Sequence, residues 1–462
     1  MSSVIQRVYE GVNAALRADD PASLSAALSG VHAADIAEIY ELLADEDRSR
    51  LIYALPAPTA AEVVVLLDEA DRGEVVEDIS RAELTELVSE MEPDDAADVL
   101  GELTEEQRED VLEHIAYEQA DKIEELLTYD EDTAGGIMTK DLVALPGHAT
   151  VAEAVREIRA SFPDADLHNI YVVDDHDRLF GVVPLRQLVL NDKQVRLKTI
   201  CTTDPVAVHV RDDQEEVVHV ISKYDLAAVP VVDDEGRLLG RITHDDIIDV
   251  LEEEADEDMY RMAGLDTAEF ETASVVRAAG IRLFWLGPCL IGMAGTATVL
   301  VVAKRYFDWP ILATLVAFAP MIMAIGGNCG IQISTIIVRG LATGELASSR
   351  FGPAFVREGR VALIMAPICG IAALLLCRVG LPIMRRWGDV QEGADVIRVS
   401  YAVGVGMTCA ILVAASLGMV LPFIFRRIQV DPAIAAGPIV TTVNDVLSVV
   451  IFLALASLII AW

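Results

Sequence analysis

Between residues 32 and 127, apolar side chains recur every twelve positions in two phases that lie four residues apart. Apolar residues spaced by four lie on one face of a helix, and residues such as Asp45, Pro56 and Pro93 separate the repeats. The pattern predicts eight short helices with turns, stacked as an α-solenoid. The first phase is Ile39, Leu51, Val63, Val75, Leu87, Val99, Val111 and Ile123, and the second is Leu43, Leu55, Leu67, Ile79, Met91, Leu103, Ile115 and Leu127.

From about residue 134 to residue 258 the pattern changes to two similar halves. Each half has the order strand, helix, strand, tight turn, strand, helix, and the tight turns have the sequences DDHDRLFG and DDEGRLLG. Apolar runs on both sides of a turn rich in Asp and Gly are typical of a hairpin. The region is therefore predicted to be a tandem α/β repeat.

After residue 258 the chain is polar to amphipathic over residues 259–279 and then strongly apolar. A helix needs roughly 20 apolar residues to cross the hydrocarbon core of a bilayer. The apolar segments predict five membrane spans, of which the third is short and has to recruit flanking residues. The segments are 283–303, 310–338, 361–377, 399–425 and 432–462.

Charge divides the chain at the same place. Residues 1–279 hold 66 acidic and 22 basic side chains, whereas residues 280–462 hold 8 and 13, which gives the net charge of −39. Phosphate would repel so negative a segment, which excludes nucleic acid as a partner. The N-terminus lacks the pattern of a secretory signal, so we expect the acidic part in the cytosol and, after five spans, the C-terminus outside. The six cysteines form no CxxC pair and indicate neither a disulfide framework nor a zinc site.

Asp445 is the first candidate for ion chemistry. It lies 13 residues after Pro432 in an otherwise uncharged stretch, which at about 1.5 Å per helical residue is close to mid-membrane depth. Its sequence neighbours Asn444 and Thr441 offer amide and hydroxyl oxygens, a ligand set that suits a hard cation. The alternative is a protonated carboxyl that is hydrogen-bonded inside a helix bundle.

The second span contains Gly326, Gly327, Asn328 and Gly330 within AIGGNCGIQIS. Such a cluster can open a helix and expose backbone carbonyls where protein or water satisfies them. It is also typical of tight helix packing through small residues. Together with Asp445, the cluster favours the lining of a pore.

The two α/β halves resemble a tandem pair of CBS domains, which implies a regulatory module that binds adenine nucleotides or ions. Gly240, Thr243 and Asp246 occupy the positions that often hold a nucleotide ribose in CBS domains. In the first half the same positions are Gly181, Pro184 and Gln187, so the hydroxyl and the carboxylate are absent there. ATP or another adenine nucleotide is therefore a candidate ligand of the second half.

The order of elements, the GGN motif and the sequence DPAIAAGPIVTTVNDV in the fifth span resemble the MgtE family of magnesium channels or transporters over nearly the full chain. The resemblance implies a homodimer with the pore at its axis, where Asp445 of each chain holds a largely hydrated Mg²⁺. Ile331 before Gln332 departs from the family pattern and affects the lining by the second span. The implied pore residues are Asp445, Thr441, Asn444, Asn328 and Gly327.

The resemblance also implies carboxylates that bind regulatory Mg²⁺ and pull the cytosolic domains together to close the pore. Spacing supports part of this set independently, because Asp94 and Asp98 are one helical turn apart, as are Glu254 and Asp258. The competing explanation is a solvated acidic surface, as in halophiles. The implied residues are Glu62, Asp94, Asp98, Ser222, Asp225, Asp246, Asp249, Glu254, Glu257 and Asp258.

The sequence thus predicts a multidomain membrane protein. Its parts are an all-α superhelical N domain (1–133), an α/β tandem CBS pair (134–197 and 198–258), a connecting plug helix (259–279) and a five-helix transmembrane pore domain (280–462). We expect a Mg²⁺ channel of the plasma (inner) membrane, gated by intracellular Mg²⁺, with no covalent chemistry. The alternatives are a transporter of another divalent cation such as Co²⁺ or Mn²⁺ and a membrane-anchored sensor without transport.

Overall fold

A computed structural model of the protein describes residues 3–161, 167–265, 275–342, 346, 351–386 and 395–461. The chain forms two compact units, Met1–Glu252 and Glu253–Trp462. The middle of the predicted connecting helix, residues 266–274, lies outside the described residues.

The first unit begins with short helices, and those from α3 to α10 correspond one for one to the eight predicted repeats. Helices of the same parity pack on each other, so that α3 contacts α5 and α6 contacts α8. This arrangement confirms the helical N domain. The helices are α1 (Ser3–Ala18), α2 (Pro21–Leu28), α3 (Ala33–Glu41), α4 (Asp45–Tyr53), α5 (Ala57–Val65), α6 (Glu69–Asp78), α7 (Arg81–Glu90), α8 (Pro93–Gly101), α9 (Glu105–Leu112) and α10 (Tyr117–Leu126).

The two apolar phases of the repeat have different positions in the structure. Every member of the first phase lies inside a helix and is buried, as Ile39 and Leu51 show at 0% exposure. Every member of the second phase lies just past a helix end, in the turn. Each helix ends before its second-phase residue because the next helix begins soon after it. For example, the capping box of Ser80 and Glu83 opens α7, and Pro93 opens α8.

Two small sheets follow, one in each half of the predicted tandem repeat. In each sheet the first strand pairs parallel with the second and the second pairs antiparallel with the third, with a register shift at the same place. The strands are β1 (Ala144–Pro146), β2 (Asn169–Val173), β3 (Leu179–Pro184), β4 (Thr202–Thr203), β5 (Val208–His209), β6 (Ala228–Val232) and β7 (Leu238–Thr243). The helices are α11 (Val151–Ser161), α12 (Leu185–Leu190), α13 (Leu197–Ile200), α14 (Gln214–Tyr224) and α15 (His244–Ala263).

The second unit contains five helical stretches that are long and apolar enough to cross a membrane: Val275–Ala303, Ile311–Ala342, Gly352–Ile383, Val396–Arg427 and Pro432–Ile460. The third stretch extends the predicted segment at both ends. The helices are α16 (Val275–Ala303), α17 (Trp309–Val316), α18 (Ala319–Ala342), α19 (Phe351–Arg386), α20 (Val396–Arg427) and α21 (Val440–Ala461), and a π-helical turn (Ala435–Ile439) precedes α21.

Glycines allow the spans to approach one another closely. A methyl group on Gly418 of α20 would lie 2.5 Å from the carbonyl oxygen of Gly330 on α18. A methyl group on Gly370 of α19 would lie 2.7 Å from the carbonyl oxygen of Gly404 on α20. Apolar burial drives helix association weakly in lipid, so close contacts through small residues supply the packing. The GGN segment also follows this rule, because α18 is a continuous helix there and is not opened as the sequence suggested.

Candidate ion sites

Asp445 lies on the first turns of α21 and is half-buried. The side of α21 that carries Thr441 and Asn444 contacts α18: a Cβ placed on Gly326 would be 3.1 Å from the Asn444 amide atoms. A Cβ on Gly327 would be 3.5 Å from Thr441 Cγ2. The paired glycines of the GGN motif therefore leave room for the polar side chains of the fifth span.

A second side of α21 contacts α16. Thr442 lies over Gly292 and its hydroxyl is 3.5 Å from Cys289 Sγ, and Val446 lies over Gly295. Successive residues of a helix are rotated by about 100°, which places Asp445 between the side that contacts α16 and the side that contacts α18. The sequence places no cysteine beside Asp445, and only the packing of α16 brings the Cys289 sulfur to its helix.

Asn444 and Thr441 are held by other bonds. Asn444 is 0% exposed, its amide nitrogen donates to the Met323 carbonyl oxygen at 3.4 Å, and its Oδ1 accepts from Ser448 Oγ at 2.9 Å. Thr441 Oγ1 donates to the Pro438 carbonyl oxygen at 2.9 Å. Both side chains are therefore well placed to fix the geometry around Asp445. Asn328, in contrast, is exposed on α18.

Glu358 is a second acidic residue within a membrane-spanning helix, and sequence reasoning missed it. It lies near the start of α19, is 4% exposed, and its carboxylate is 3.9 Å from Arg357 Nε. The flanking Arg357 and Arg360 made this stretch look like the end of a span. The length of α19 is what shows that Glu358 belongs to it.

The end of α15 contacts the beginning of the fifth span inside the second unit. Arg261 forms ion pairs with Glu257 and with Asp431, which directly precedes Pro432. The Gly437 backbone adjoins the Met262 carbonyl oxygen, and a Cβ on Gly264 would be 2.6 Å from Pro438 Cγ. The connector therefore contacts the non-helical Gly437, a few residues before Asp445.

Asp258 belongs to the same contact. Burial, followed by the negative charges of Asp431 and Glu254, raises the pKa of Asp258 to about 6. Asp431 was absent from the predicted set, and its position at the cytosolic start of a span was the signal that could have indicated it. The predicted connector residues Glu254, Glu257 and Asp258 thus lie in the second unit together with Asp431.

In the first unit, the beginnings of α8 and α15 bring acidic side chains together. Asp94 is 8% exposed and its Oδ1 has no hydrogen-bond partner in the structure. Burial, with the charges of Asp95 and Asp246, raises the pKa of Asp94 well above its usual range. Burial and the charges of Glu92 and Asp98 raise the pKa of Asp95 to about 7. We refer to Glu92, Asp94, Asp95, Asp98 and Asp246 as the α8–α15 cluster.

Asp246 lies in the first turn of α15 and bonds back to Thr243, the residue before the helix. Its Oδ2 accepts from the Thr243 amide at 2.8 Å and from the Thr243 hydroxyl at 2.5 Å. Burial raises the pKa of Asp246, and the two hydrogen bonds from Thr243 oppose that rise. Gly240 lies close to Met138, whose Sδ would be 2.6 Å from a Cβ at this position. The three residues predicted for a nucleotide therefore lie on β7 and at the start of α15, which follows it directly.

The remaining predicted regulatory residues of the first unit are not members of this cluster. Asp249 lies one turn after Asp246 on α15 and is exposed, as are Glu62 on α5 and Ser222 and Asp225 at the end of α14. Within the described ranges, no group of three or more His, Cys, Asp or Glu side chains is arranged to hold a metal ion. The orphaned oxygen of Asp94 and the crowding of negative charge nevertheless fit a hard cation.

Five apolar spans, a mid-span carboxylate and a CBS pair are typical of a regulated membrane transporter of cations. The family profile described as a divalent cation transporter, MgtE, matches residues 319–455, the MgtE intracellular N domain matches 31–132, and the CBS domain matches 134–191 and 197–253. The chain belongs to the MgtE family.

The relatives cover most of the chain. The magnesium transporter MgtE of Thermus thermophilus is 35% identical over 332 residues, which is 71% of this chain and 70% of the relative. The magnesium transporter MgtE of Enterococcus faecalis is 34% identical over 331 residues, 71% of this chain and 69% of the relative. The crystal structure of the cytosolic domain of the Mg²⁺ channel MgtE in complex with ATP matches 52% of this chain and 99% of that chain, with 34% identity and a TM-score of 0.50.

Proposed function

We propose that this protein transports Mg²⁺ across the plasma membrane along a path that passes Asp445. The observation that carries the proposal is the position of Asp445 on the fifth span, between the sides that contact α16 and α18. Mg²⁺ gives up its water reluctantly and is usually held by one or two carboxylates through its hydration shell. The relatives named as magnesium transporters support Mg²⁺ over Co²⁺ or Mn²⁺ and over a sensor without transport.

Two copies of the chain would form the pore. Asn328 is exposed in the single chain although it lies on a membrane span, and a polar amide facing lipid is unfavourable. A second copy across a two-fold axis would bring Asn328 and a second Asp445 to the same path. The predicted pore set of Asp445, Thr441, Asn444, Asn328 and Gly327 then divides into residues that face the ion and residues that hold them.

Intracellular Mg²⁺ would close this path through the cytosolic carboxylates. The α8–α15 cluster concentrates negative charge that repels itself, so a cation that binds the compact arrangement stabilises it. Asp258 and Asp431 repeat this arrangement beside the contact between the connector and Gly437. Cation binding there would fix the connector against the start of the fifth span, with the N-terminal domains in the cytosol and the C-terminus outside.

An adenine nucleotide would bind the second CBS domain at Gly240, Thr243 and Asp246. The solved MgtE cytosolic domain contains ATP, and Asp246 Oδ1 is not engaged by the Thr243 bonds, which use Oδ2. Because Asp246 belongs to both sites, nucleotide and regulatory cation would affect each other's binding.

Uptake of Mg²⁺ into proteoliposomes or cells that lack other Mg²⁺ transporters tests the central proposal. Asp445→Ala should abolish uptake, and Asp308→Asn, an exposed carboxylate at the start of α17, should leave it unchanged. Undiminished uptake by the Asp445 variant would refute the path. Neutralising Asp246, Asp249 and Glu254 together should keep uptake high at internal Mg²⁺ that closes the unaltered protein.

A further inference from the structure

The first CBS domain differs in charge from the rest of the acidic part of the chain. Residues 134–197 hold 9 acidic and 7 basic side chains, whereas the other residues between 1 and 279 hold 57 and 15. General adaptation of the surface to salt would spread acid over all domains alike. A nearly balanced domain within a strongly negative chain indicates positive charge with a local role.

A cavity of about 480 Å³ opens on this domain, and we refer to it as the CBS1 cavity. It lies where the end of β1, the β2–β3 turn and α13 meet. Gly147 keeps it open, because a Cβ there would be 3.3 Å from Lys198 Cβ and 3.4 Å from Val172 Cγ1. The lining residues are Pro146, Gly147, His148, Val173, Asp174, Asp175, Phe180, Arg196, Lys198 and Thr199.

The CBS1 cavity has two cations in its lining, Arg196 and Lys198. Among the described residues, neither Arg196 nor Lys198 forms an ion pair, although Arg48, Arg72 and Arg178 elsewhere in the unit do. The Lys198 ammonium lies 5.1 Å from the centroid of the Phe180 ring, which holds it at the cavity wall. Arg196 and Lys198 thus line one cavity without an ion-pair partner among the residues that the structure describes.

The Asp174 carboxylate in the wall does not cancel these charges. It accepts hydrogen bonds from the amides of His176 and Arg178 at 2.8 and 3.0 Å, and the Arg178 side chain pairs with it at 2.8 Å. These bonds lower the pKa of Asp174 to about 2. The carboxylate is thus ionised, balanced by Arg178 and committed to its own turn. Of the remaining lining residues, Asp175 is acidic and exposed, whereas Arg196, Lys198 and His148 are basic.

We propose that the CBS1 cavity binds a small phosphate-bearing anion. A phosphate group carries nearly two negative charges and three acceptor oxygens, which match the donors of Arg196 and Lys198. The cavity is built from the first sheet and the adjoining α13, whose Lys198 and Thr199 follow the predicted end of the first CBS domain at residue 197. It does not include Gly240, Thr243 or Asp246. Its occupant is therefore an additional ligand, either a soluble phosphorylated compound or the headgroup of an anionic lipid.

Calorimetric titration of the full chain in nanodiscs with inorganic pyrophosphate, in buffer without divalent cations, tests the proposal. Arg196→Gln with Lys198→Gln should weaken binding about tenfold or more. Arg156→Gln with Arg159→Gln, which removes the same charge from exposed positions of α11, should change it less than about twofold. Gly147→Leu keeps every charge, fills the cavity and should also weaken binding.

The proposal is overturned if the unaltered protein binds no pyrophosphate at millimolar concentration, if the Arg196 and Lys198 variant binds as well as the unaltered one, or if both double variants lose the same affinity. Two sets of nanodiscs identify the source of the ligand. Phosphatidylglycerol in place of phosphatidylcholine should weaken pyrophosphate binding if a lipid headgroup occupies the cavity. Equal binding in both lipids supports a soluble occupant.

Discussion

Asp94, Asp95 and Asp246 of the first unit are crowded together, whereas Asp445 of the second unit has amide and hydroxyl side chains beside it on α21, the helix that the Cys289 thiol contacts through Thr442. In the α8–α15 cluster each carboxylate makes the ionisation of the next more costly, and in the proposed function cations relieve that cost. On the fifth span the proposal gives this role to a single carboxylate, because a charge in low-dielectric surroundings is costly until an opposite charge accompanies it.

The two units also differ in what packs their helices. In the solenoid one apolar residue of each repeat is buried between the helices. Because removal of apolar area from water is favourable, this burial drives the helices together. The spans meet through Gly330, Gly370, Gly404 and Gly418, because lipid offers side chains no such drive. The helices in water are therefore held by apolar burial, and the helices in lipid by close contacts at glycine.

Replacing Asp445 by Asn should have the largest effect. The amide keeps the shape and removes the charge, and we expect Mg²⁺ uptake to fall about a hundredfold, which corresponds to about 2.7 kcal/mol. Protection of the cytosolic unit from trypsin by Mg²⁺ should remain unchanged in the same protein. Loss of both Mg²⁺ uptake and Mg²⁺-dependent protection in this variant would show that the acidic residues of the two units do not act independently.

Gly418→Ala should destabilise the membrane unit by about 1 to 3 kcal/mol, because the added methyl meets backbone and has no flexible neighbour to displace. Gly380→Ala is the matched control, since a Cβ there has no neighbour within 4 Å. Thermal unfolding in detergent measures the difference. Equal stability of both variants would show that the close contact at Gly418 does not stabilise the membrane unit.

Asp94→Asn should raise the internal Mg²⁺ concentration needed for closure about tenfold, near 1.4 kcal/mol of binding energy. Maximal uptake should persist, because Asp445 is untouched. Glu113→Gln, an exposed carboxylate at the end of α9, should close as the unaltered protein does. Dose curves of uptake against internal Mg²⁺ distinguish the two variants, and identical curves would mean that the buried carboxylate is not part of the sensor.

The smallest effect should come from pH. Folding raises the pKa of Asp95 to about 7, so the compact arrangement binds more protons than the open chain does. Its stabilisation by this group is complete below the ordinary Asp value near 4 and is lost as pH rises through about 7. Without divalent cations, hydrogen-exchange protection of α8 should fall as the pH rises from about 4 to about 7, by up to about tenfold per pH unit for each proton released.

Added Mg²⁺ should restore that protection at pH 8, because a bound cation replaces the proton as the partner of the cluster. Protection of α4, whose buried Leu51 is remote in sequence from these acids, gives the internal control. A uniform change in both helices would point to general instability rather than to the α8–α15 cluster.

The fold was predictable wherever a pattern repeats along the chain. The twelve-residue period indicated α3 to α10, and apolar length indicated five spans. The second phase of the period was misplaced onto helices, because Leu55 and its counterparts pack against the core from the turn and periodicity does not distinguish a turn position from a helical one. The opening of α18 at the GGN motif was also an expectation that the continuous helix corrects, since α21 and α20 fill the space that the glycines leave.

Sequence alone determined that a negative cytosolic part precedes an apolar membrane part, and that Asp445 lies deep in a span, because charge counts and helical rise depend only on order along the chain. Tertiary structure decided which groups share space: Asp94 with Asp246, Asp431 with Arg261, Cys289 with Thr442, and Arg196 and Lys198 with Asp174 at one cavity. Electrostatic energy depends on distance through space, and distance along the chain does not supply it.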